Sequence, residues 1–303
     1  MGTGMEMHRL EGVHCATGES PTWNALEGAW YWVDIPARRI WRLDHAAGTL
    51  RHWEAPEMVA CVAAADDGSL VAGMESGIFS LVLGEDGNDG GKVTATRLAA
   101  PPSSELGEGM RFNDGRCDRQ GRFWSGTMFM DMGAARAVGG LYRYSADAGL
   151  HGPVVSGLLT QNGLAWSPDG RTMYLSDSHP QRRTVWAFDY DVEQGIPHDK
   201  RVFLDLGGQA GRPDGAAVDI DGCYWTCAND GGVVQRFTPD GKLDREIALP
   251  MAKPSMCAFG GPRLDTMLVT SIDPGTGGEA GSVVLLRPGV QGVAETPFGA
   301  KRG

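Results

Sequence analysis

Residues 172–189 read TMYLSDSHPQRRTVWAFD: a run rich in β-forming residues, a short polar loop and a second such run. Five other places in the chain have the same couplet. The first runs of the six couplets start near residues 29, 70, 122, 172, 223 and 266, at spacings of 41, 52, 50, 51 and 43. A repeat of about 40–50 residues, with about four strands in each unit, is typical of a β-propeller.

The turns beside these runs favour the same fold. Four couplets are preceded by turn pairs that end in glycine, namely Asp67-Gly68, Gln120-Gly121, Asp169-Gly170 and Asp221-Gly222. Glycine there supplies the positive φ that tight hairpins need. We therefore predict an all-β fold in which residues 1–303 form a single six-bladed β-propeller domain with a core over about residues 11–298. A pair of β-sandwiches is the alternative, and it explains neither the constant period nor the sixfold count.

The composition limits the partners that the protein could bind. Its 303 residues include 27 Lys and Arg against 38 Asp and Glu, a formal net charge of −11. An acidic surface repels nucleic-acid phosphates and anionic membranes, so we expect neither as a partner. The sequence has no apolar run long enough to span a membrane and no apolar signal sequence near its start. We expect a cytoplasmic monomer whose six cysteines are reduced and mostly buried.

Polar residues recur at one phase of the repeat, just before the couplets. Glu19, Asn113, Asn162 and Asp214 align there, whereas the second repeat has Cys61. Residues at the same phase of different blades meet at the central channel of a propeller, so this channel is predicted to bind a metal. Two carboxylates and two amide oxygens are hard ligands that suit Ca²⁺, Mg²⁺, Mn²⁺ or Fe²⁺. A role as turn residues alone is the alternative at each position, and it explains less well why all four share a phase.

Five short motifs occur in a defined order along the chain. They are GESPTW (18–23), RFNDG (111–115), GTM (126–128), NGLAWS (162–167) and PDG (213–215). This set resembles the SMP-30/gluconolactonase/regucalcin-like family of six-bladed propellers, from about residue 11 to about residue 290. The resemblance implies a divalent-metal-dependent sugar lactonase that hydrolyses an aldonolactone, of the gluconolactone or pentonolactone type, to the aldonic acid.

The resemblance also implies roles for individual residues. The family's metal ligands correspond to Glu19, Asn162 and Asp214. They would hold one divalent ion, with Ca²⁺ as the first choice and Zn²⁺, Mg²⁺, Mn²⁺ or Fe²⁺ as alternatives. The family's substrate contacts correspond to Arg111, Asn113 and Asp131. Asp131 stands where the family often has Glu.

The implied chemistry suits these side chains. A bound cation would polarise the lactone carbonyl and activate a water, with Asp214 as the catalytic general base. Arg111 and Asn113 would bind the sugar hydroxyls and orient the ring. The segment 129–140 is rich in Met, Ala and Gly, and we expect it to form a lid over the channel mouth.

Other chemistries lack their motifs. The sequence contains neither a GxSxG nucleophile elbow nor an HExxH zinc motif. The glycines of residues 275–280 lie between two predicted strands, which favours a hairpin loop, and His179-Pro180 is expected on a surface loop. Two alternatives stay open: another ester or organophosphate hydrolase on the same propeller, and a non-catalytic calcium-binding protein. Arg111 and Asn113 favour a polyhydroxylated substrate over an apolar ester.

Overall fold

The computed structural model describes residues 6–85 and 91–299. Within these ranges the fold is all-β and propeller-like: 24 strands and one short 3₁₀ helix at Met132–Ala134. The prediction of an all-β chain is therefore confirmed. In the same ranges no helix is both long enough and apolar enough to span a membrane.

The strands follow one another as short antiparallel hairpins. In chain order they are β1 (Met7–Arg9), β2 (Gly18–Asn24), β3 (Ala29–Asp34), β4 (Arg39–Asp44), β5 (Leu50–Glu54), β6 (Val59–Ala64), β7 (Leu70–Met74), β8 (Ile78–Leu83), β9 (Gly91–Ala99), β10 (Met110–Cys117), β11 (Phe123–Phe129), β12 (Gly139–Ser145), β13 (Gly149–Leu158), β14 (Gln161–Trp166), β15 (Thr172–Asp177), β16 (Thr184–Asp191), β17 (Ile196–Asp205), β18 (Arg212–Val218), β19 (Tyr224–Asn229), β20 (Val233–Phe237), β21 (Leu243–Ala248), β22 (Pro254–Gly260), β23 (Thr266–Ser271) and β24 (Val284–Leu286). The six predicted couplets are the second and third strands of successive groups of four.

The hydrogen bonds join these strands into four four-stranded sheets and one eight-stranded sheet. The larger sheet has the order β2-β3-β4-β5-β9-β8-β7-β6, and a parallel contact of only two residue pairs joins β5 to β9. The last sheet has the order β1-β24-β23-β22, so a strand from the start of the chain completes it. Five separate sheets are present in the described ranges, and the predicted number of six blades stays a prediction.

The first strands of the six four-strand groups lie side by side. β2 contacts β6, and the sequence of contacts continues through β10, β14, β18 and β22 back to β2. Hydrophobic clusters fill the space between each group and the next. The tryptophans of the first group belong to this packing: Trp32 and Trp41 stack with ring centroids 6.0 Å apart. All six cysteines are free and buried.

The turn chemistry predicted from the sequence is present. Gly68, Gly121, Gly170 and Gly222 have φ values between +74° and +84°, the region that favours glycine. The loop containing Gly275 lies between β23 and β24, as predicted. The four turns join the first and second strands of four of the groups.

The segment after β24 crosses the ends at which the inner strands β6, β10 and β18 finish. The backbone of Phe298 bonds Ala64, Gly299 bonds Gly121, and Val293 bonds Val218. Since β6, β10 and β18 start at the opposite end, this segment covers one end of the space between them and leaves the other end for the site.

Asp219 fixes the turn between β18 and β19. Its side chain is fully buried and accepts from the backbone N–H of Asp221 and Cys223, both at 3.0 Å. Its other oxygen accepts from Trp225 Nε1 and Arg236 Nε, both at 2.8 Å. One carboxylate thereby holds a turn, a buried indole and a buried guanidinium.

Replacing Asp219 by Ala is expected to lower the free energy of unfolding by about 3–5 kcal/mol, because Arg236 and Trp225 lose a buried partner. Urea unfolding measures this loss. Asp240→Ala removes an acidic residue from an exposed turn and is the control, with an expected change below about 0.5 kcal/mol. Equal losses in the two variants would contradict the assigned role of Asp219.

Candidate metal and substrate site

A β-bulge interrupts the first strand of each four-strand group, near the end where the strand begins. In β2, Glu19 pairs with Val33 and Thr22 pairs with Tyr31, so three steps on one strand match two on its partner. One residue is also inserted in the other inner strands, β6, β10, β14, β18 and β22. A bulge bends the strand and redirects its side chains, which is why bulges are frequent beside functional sites.

The four residues predicted to share one phase lie at these bulges, but in two register positions. Glu19 and Asn162 are the last paired residues before the inserted one. Asn113 and Asp214 lie one residue later, inside the bulge. The single phase predicted for all four is therefore wrong by one position, because an inserted residue changes the register without changing the residue types.

Glu19 is buried at the start of β2, next to a residue with unusual backbone geometry. Ser20 has φ +51°, which costs a non-glycine residue roughly 1–2 kcal/mol. Its hydroxyl compensates by bonding across to β6, accepting from Val62 N at 2.9 Å and donating to Val62 O at 3.2 Å. The Ser20 backbone N–H donates to Glu19 Oε2 at 3.3 Å. The bulge thus fixes the position of the Glu19 carboxylate.

Asn162 is buried in β14, and Gly163 follows it with φ +63°. The Asn162 amide donates from Nδ2 to Ser178 Oγ at 3.1 Å. Its Oδ1 is buried and has no hydrogen-bond partner in the described part of the chain. A buried carbonyl oxygen without a donor is unfavourable, so this atom is available to a ligand.

Asp214 is buried in β18. Its Oδ2 accepts from Asn229 Nδ2 at 2.7 Å, which orients the carboxylate from the end of the neighbouring strand β19. Burial raises the pKa of Asp214 to about 7, although the positive charge of Arg212 and the bond from Asn229 oppose this shift. Arg212 itself pairs with Asp230 at 2.9 Å.

The carboxylates interact unfavourably with one another. Burial raises the pKa of Glu19 well above its usual range, and the negative charges of Asp214 and Asp114 raise it further. Arg111 opposes this effect with its positive charge. Two buried carboxylates of this kind favour a bound cation, because a cation removes the repulsion and replaces part of the lost hydration.

Arg111 and Asn113 form a pair on β10. Arg111 Nη1 donates to Asn113 Oδ1 at 2.7 Å and to the carbonyl of Phe112 at 2.8 Å. Asn113 Nδ2 donates to the carbonyl of Gln161, the residue before Asn162, at 2.7 Å. Burial lowers the pKa of Arg111, and Glu19 opposes that shift. The structure therefore brings two of the three predicted substrate contacts, Arg111 and Asn113, beside the predicted metal ligands.

Asp131 stands apart from the other predicted site residues. It is exposed, and its Oδ1 accepts from Gly133 N at 3.0 Å, which begins the short 3₁₀ helix. No hydrogen bond or ion pair in residues 6–85 and 91–299 joins it to Glu19 or Asp214. Its contact with substrate stays a prediction.

The structure corrects the expectation for His179. Pro180 is exposed, but His179 is buried rather than placed on the surface. Its Nε2 lies 3.0 Å from the carbonyl of Met132 and its Nδ1 accepts from Gln181 N at 3.2 Å. His179 thus connects the loop after β15 to the 129–140 segment, in which Arg136 also packs on the ring of Phe129 at 4.3 Å.

Several side chains of the site were missed in the sequence. Asp114 and Ser20 lie in the bulges, while Ser178 and Asn229 lie at or just beyond the ends of second strands. The sequence does contain a pattern that includes Asn229, because the second strands β3, β15 and β19 all end in Asp or Asn. Asp34 and Asp177 at these ends accept bonds from backbone N–H groups, whereas Asn229 binds Asp214.

A second group of potential ligand atoms lies on the outside of the fourth group of strands. Ligand atoms of Asp189, His198 and Asp199 lie within 4.8 Å of one another. Each already has a partner or is solvated: His198 Nδ1 is 2.8 Å from Asp199, and Arg201 is 2.7 Å from Asp189. This group is exposed, and exposed acidic residues commonly occur without a metal. The buried set at Glu19, Asn162 and Asp214 fits a divalent cation better. The two carboxylates in this set repel each other, and the Asn162 Oδ1 has no hydrogen-bond donor in the described part of the chain.

Most of the chain matches one known protein family. Residues 17–273 match the model of the SMP-30/Gluconolactonase/LRE-like region. The chain belongs to this family. As a member of the SMP-30/gluconolactonase family it is 37% identical to the 6-deoxy-6-sulfogluconolactonase of Pseudomonas putida, over 93% of this chain and 94% of that protein. It is 32% identical to the pentonolactonase of Haloferax volcanii, over 91% of this chain and 89% of that protein.

A solved structure of the same family has a similar fold. The protein described as a calcium-binding protein, regucalcin, from Agrobacterium tumefaciens is 25% identical and superposes with a TM-score of 0.85. The alignment covers 97% of each chain. The propeller-like arrangement is therefore shared over nearly the whole length.

Gly163 is expected to be essential for the geometry at Asn162. A Cβ at this position would lie 2.5 Å from Tyr224 Oη and 2.6 Å from Ser176 Oγ, in addition to the cost of φ +63°. Gly163→Ala should lower the free energy of unfolding by at least about 1 kcal/mol more than Gly149→Ala. Gly149 is a matched control because its φ is +72° and its Cβ would meet no atom within 4 Å. Urea unfolding of both variants measures the difference, and equal losses would contradict the steric argument.

Proposed function

We propose that this protein is a divalent-metal-dependent sugar lactonase built on a six-bladed β-propeller. The observation that supports the proposal is a set of two buried carboxylates and an unpartnered amide oxygen, beside an Arg–Asn pair, near the starts of inner strands of one ring. The names of the two relatives support the substrate class, because one is a sulfogluconolactonase and the other a pentonolactonase.

The six-bladed count rests on the strand pairing. The eight-stranded sheet is two antiparallel groups of four, and only the pairs Trp53–Gly91 and Glu54–Lys92 join their outer strands. If these halves are counted as two blades, the described residues form six blades with a ring of six inner strands around a channel, which supports our proposal of one domain for residues 1–303. The strand β1 closes the ring by completing the last blade.

The metal is assigned to Glu19, Asn162 and Asp214. Their hard oxygen atoms suit Ca²⁺, and Mg²⁺, Mn²⁺, Fe²⁺ or Zn²⁺ are the alternatives. The cation would supply Lewis-acid polarisation of the lactone carbonyl and a lower pKa for a bound water. Three protein ligands leave room for water and substrate, which a catalytic site requires.

The protein's own residues complete the reaction. Asp214, oriented by Asn229, accepts a proton from the attacking water as general base. Arg111 and Asn113 have donor groups for sugar hydroxyls, and their mutual bond at 2.7 Å keeps them in a fixed arrangement. The 129–140 segment, held by His179, lies on the same side as the starts of the inner strands and covers the bound sugar. Asp131 in that segment adds a further substrate contact.

A panel of pentono- and hexonolactones tests this function when proton release is followed in a pH-stat. We expect hydrolysis that disappears after EDTA treatment and returns with one or more divalent ions. Asp214→Asn should lower kcat/KM by about 10²–10⁴-fold, the range for loss of a general base. Asp240→Asn at the surface is the matched control and should retain the activity.

The result also separates the alternatives. Hydrolysis of a nitrophenyl ester or a phosphotriester in the absence of lactone hydrolysis would move the assignment to another hydrolase. Metal binding without turnover of any of these compounds would identify a non-catalytic binding protein. Either outcome contradicts the lactonase proposal.

A further inference from the structure

Asp114 is a buried carboxylate that the proposed reaction does not use. It lies in the bulge of β10, directly after Asn113, and is only 4% exposed. Its Oδ2 accepts from the backbone N–H of Leu164 on β14 at 2.9 Å. Its Oδ1 is buried and has no donor in the described part of the protein. An anionic oxygen in this state needs a cation, a water or its own proton.

Two observations place Asp114 within reach of the metal ligands. Its negative charge contributes to the raised pKa of Glu19 and of Asp214. Its bond to Leu164 holds β14 two residues beyond Asn162, which also carries an unpartnered oxygen. Asp114 is therefore connected to all three proposed ligands, by charge to two and through the backbone to the third.

Asp114 contributes to the charge balance of the site, to which Glu75 also contributes through its effect on Arg111. Three carboxylates, those of Glu19, Asp114 and Asp214, are neutralised by Arg111 and one divalent cation. The other nearby basic groups already have acidic partners, since Arg116 lies 3.6 Å from Glu295 and Arg212 lies 2.9 Å from Asp230. Without Asp114 the positive charges of the cation and Arg111 would exceed the negative charges of the Glu19 and Asp214 carboxylates, with only the partly buried Glu75 beside Arg111 to offset the excess.

We propose that Asp114 is a positioning residue of the metal site: it supplies the third negative charge, holds the Asn162 bulge and accepts a hydrogen bond from a cation-bound water through Oδ1. This inference rests on the metal site of the proposed function. Outer groups of this kind are expected to contribute about 10–100-fold to metal affinity. Asp114 does not contact the substrate.

Titration calorimetry of the metal-free protein with Ca²⁺ and with Mn²⁺ tests the proposal. Asp114→Asn keeps an acceptor for Leu164 and removes the charge, so we expect the Kd for the cation to rise about 10–100-fold. Asp114→Ser, which removes the charge and shortens the side chain, is measured beside it so that either folded variant decides the question. Asp240→Asn removes one negative charge from the surface and should change Kd less than about twofold.

Thermal unfolding separates this role from a purely structural one. In the metal-free protein, Asp114→Asn removes a negative charge that repels the Glu19 and Asp214 carboxylates, so the Tm should be unchanged or higher. The increase in Tm on adding Ca²⁺ should become smaller than in the parent protein. Two results would contradict the role of Asp114 while leaving the metal site intact. One is a cation Kd within threefold of that of the parent protein; the other is a lower Tm without metal together with an unchanged increase in Tm on adding Ca²⁺. If the parent protein binds neither cation, the inference fails together with the metal site of the proposed function.

Discussion

The repulsion between buried carboxylates is the constraint on which the site depends. Glu19 and Asp214 come from strands about 200 residues apart in the sequence, yet the charge of one raises the pKa of the other. Burying one such carboxylate costs roughly several kcal/mol of desolvation free energy, unless a positively charged partner offsets this cost. Arg111 compensates in part, and the unpartnered oxygens of Asn162 and Asp114 indicate where the remaining interaction is missing. We propose that one divalent cation, with a water bound to it, would satisfy these groups.

The scaffold holds these groups through polar links between several of the inner strands and their neighbours. Ser20 joins β2 to β6, Asp114 joins β10 to β14, and Ser255 donates to Gly18 O to join β22 to β2. Ser176, on the second strand of its group, donates to Pro213 O on β18 at 3.0 Å. These polar links lie at the bulges, whereas the hydrophobic clusters between the sheets supply the bulk of the packing. The residues that position the site are thus also residues that close the ring.

Much of the fold could be predicted from the sequence, because strand couplets and glycine turns are local signals that repeat. The pairing of β5 with β9 and the closure by β1 could not, since neither contact has a repeating signal. At the site, residue types at a common place in the repeat indicated Glu19, Asn113, Asn162 and Asp214, and the family resemblance implied that three of them are metal ligands. The one-residue difference in register was missed because a bulge depends on backbone geometry. Asn229 and Asp114 were missed because their roles depend on contacts between neighbouring strands, which composition does not reveal.

The central claim is that one divalent cation binds Glu19, Asn162 and Asp214 in the ring of inner strands. A crystal structure grown with Mn²⁺, with anomalous differences measured for the metal, tests it most directly. The account predicts one strong peak within about 2.5 Å of an oxygen of each of these three side chains. A peak only at the exposed group of Asp189, His198 and Asp199, or no peak in a fully soaked crystal, would contradict it.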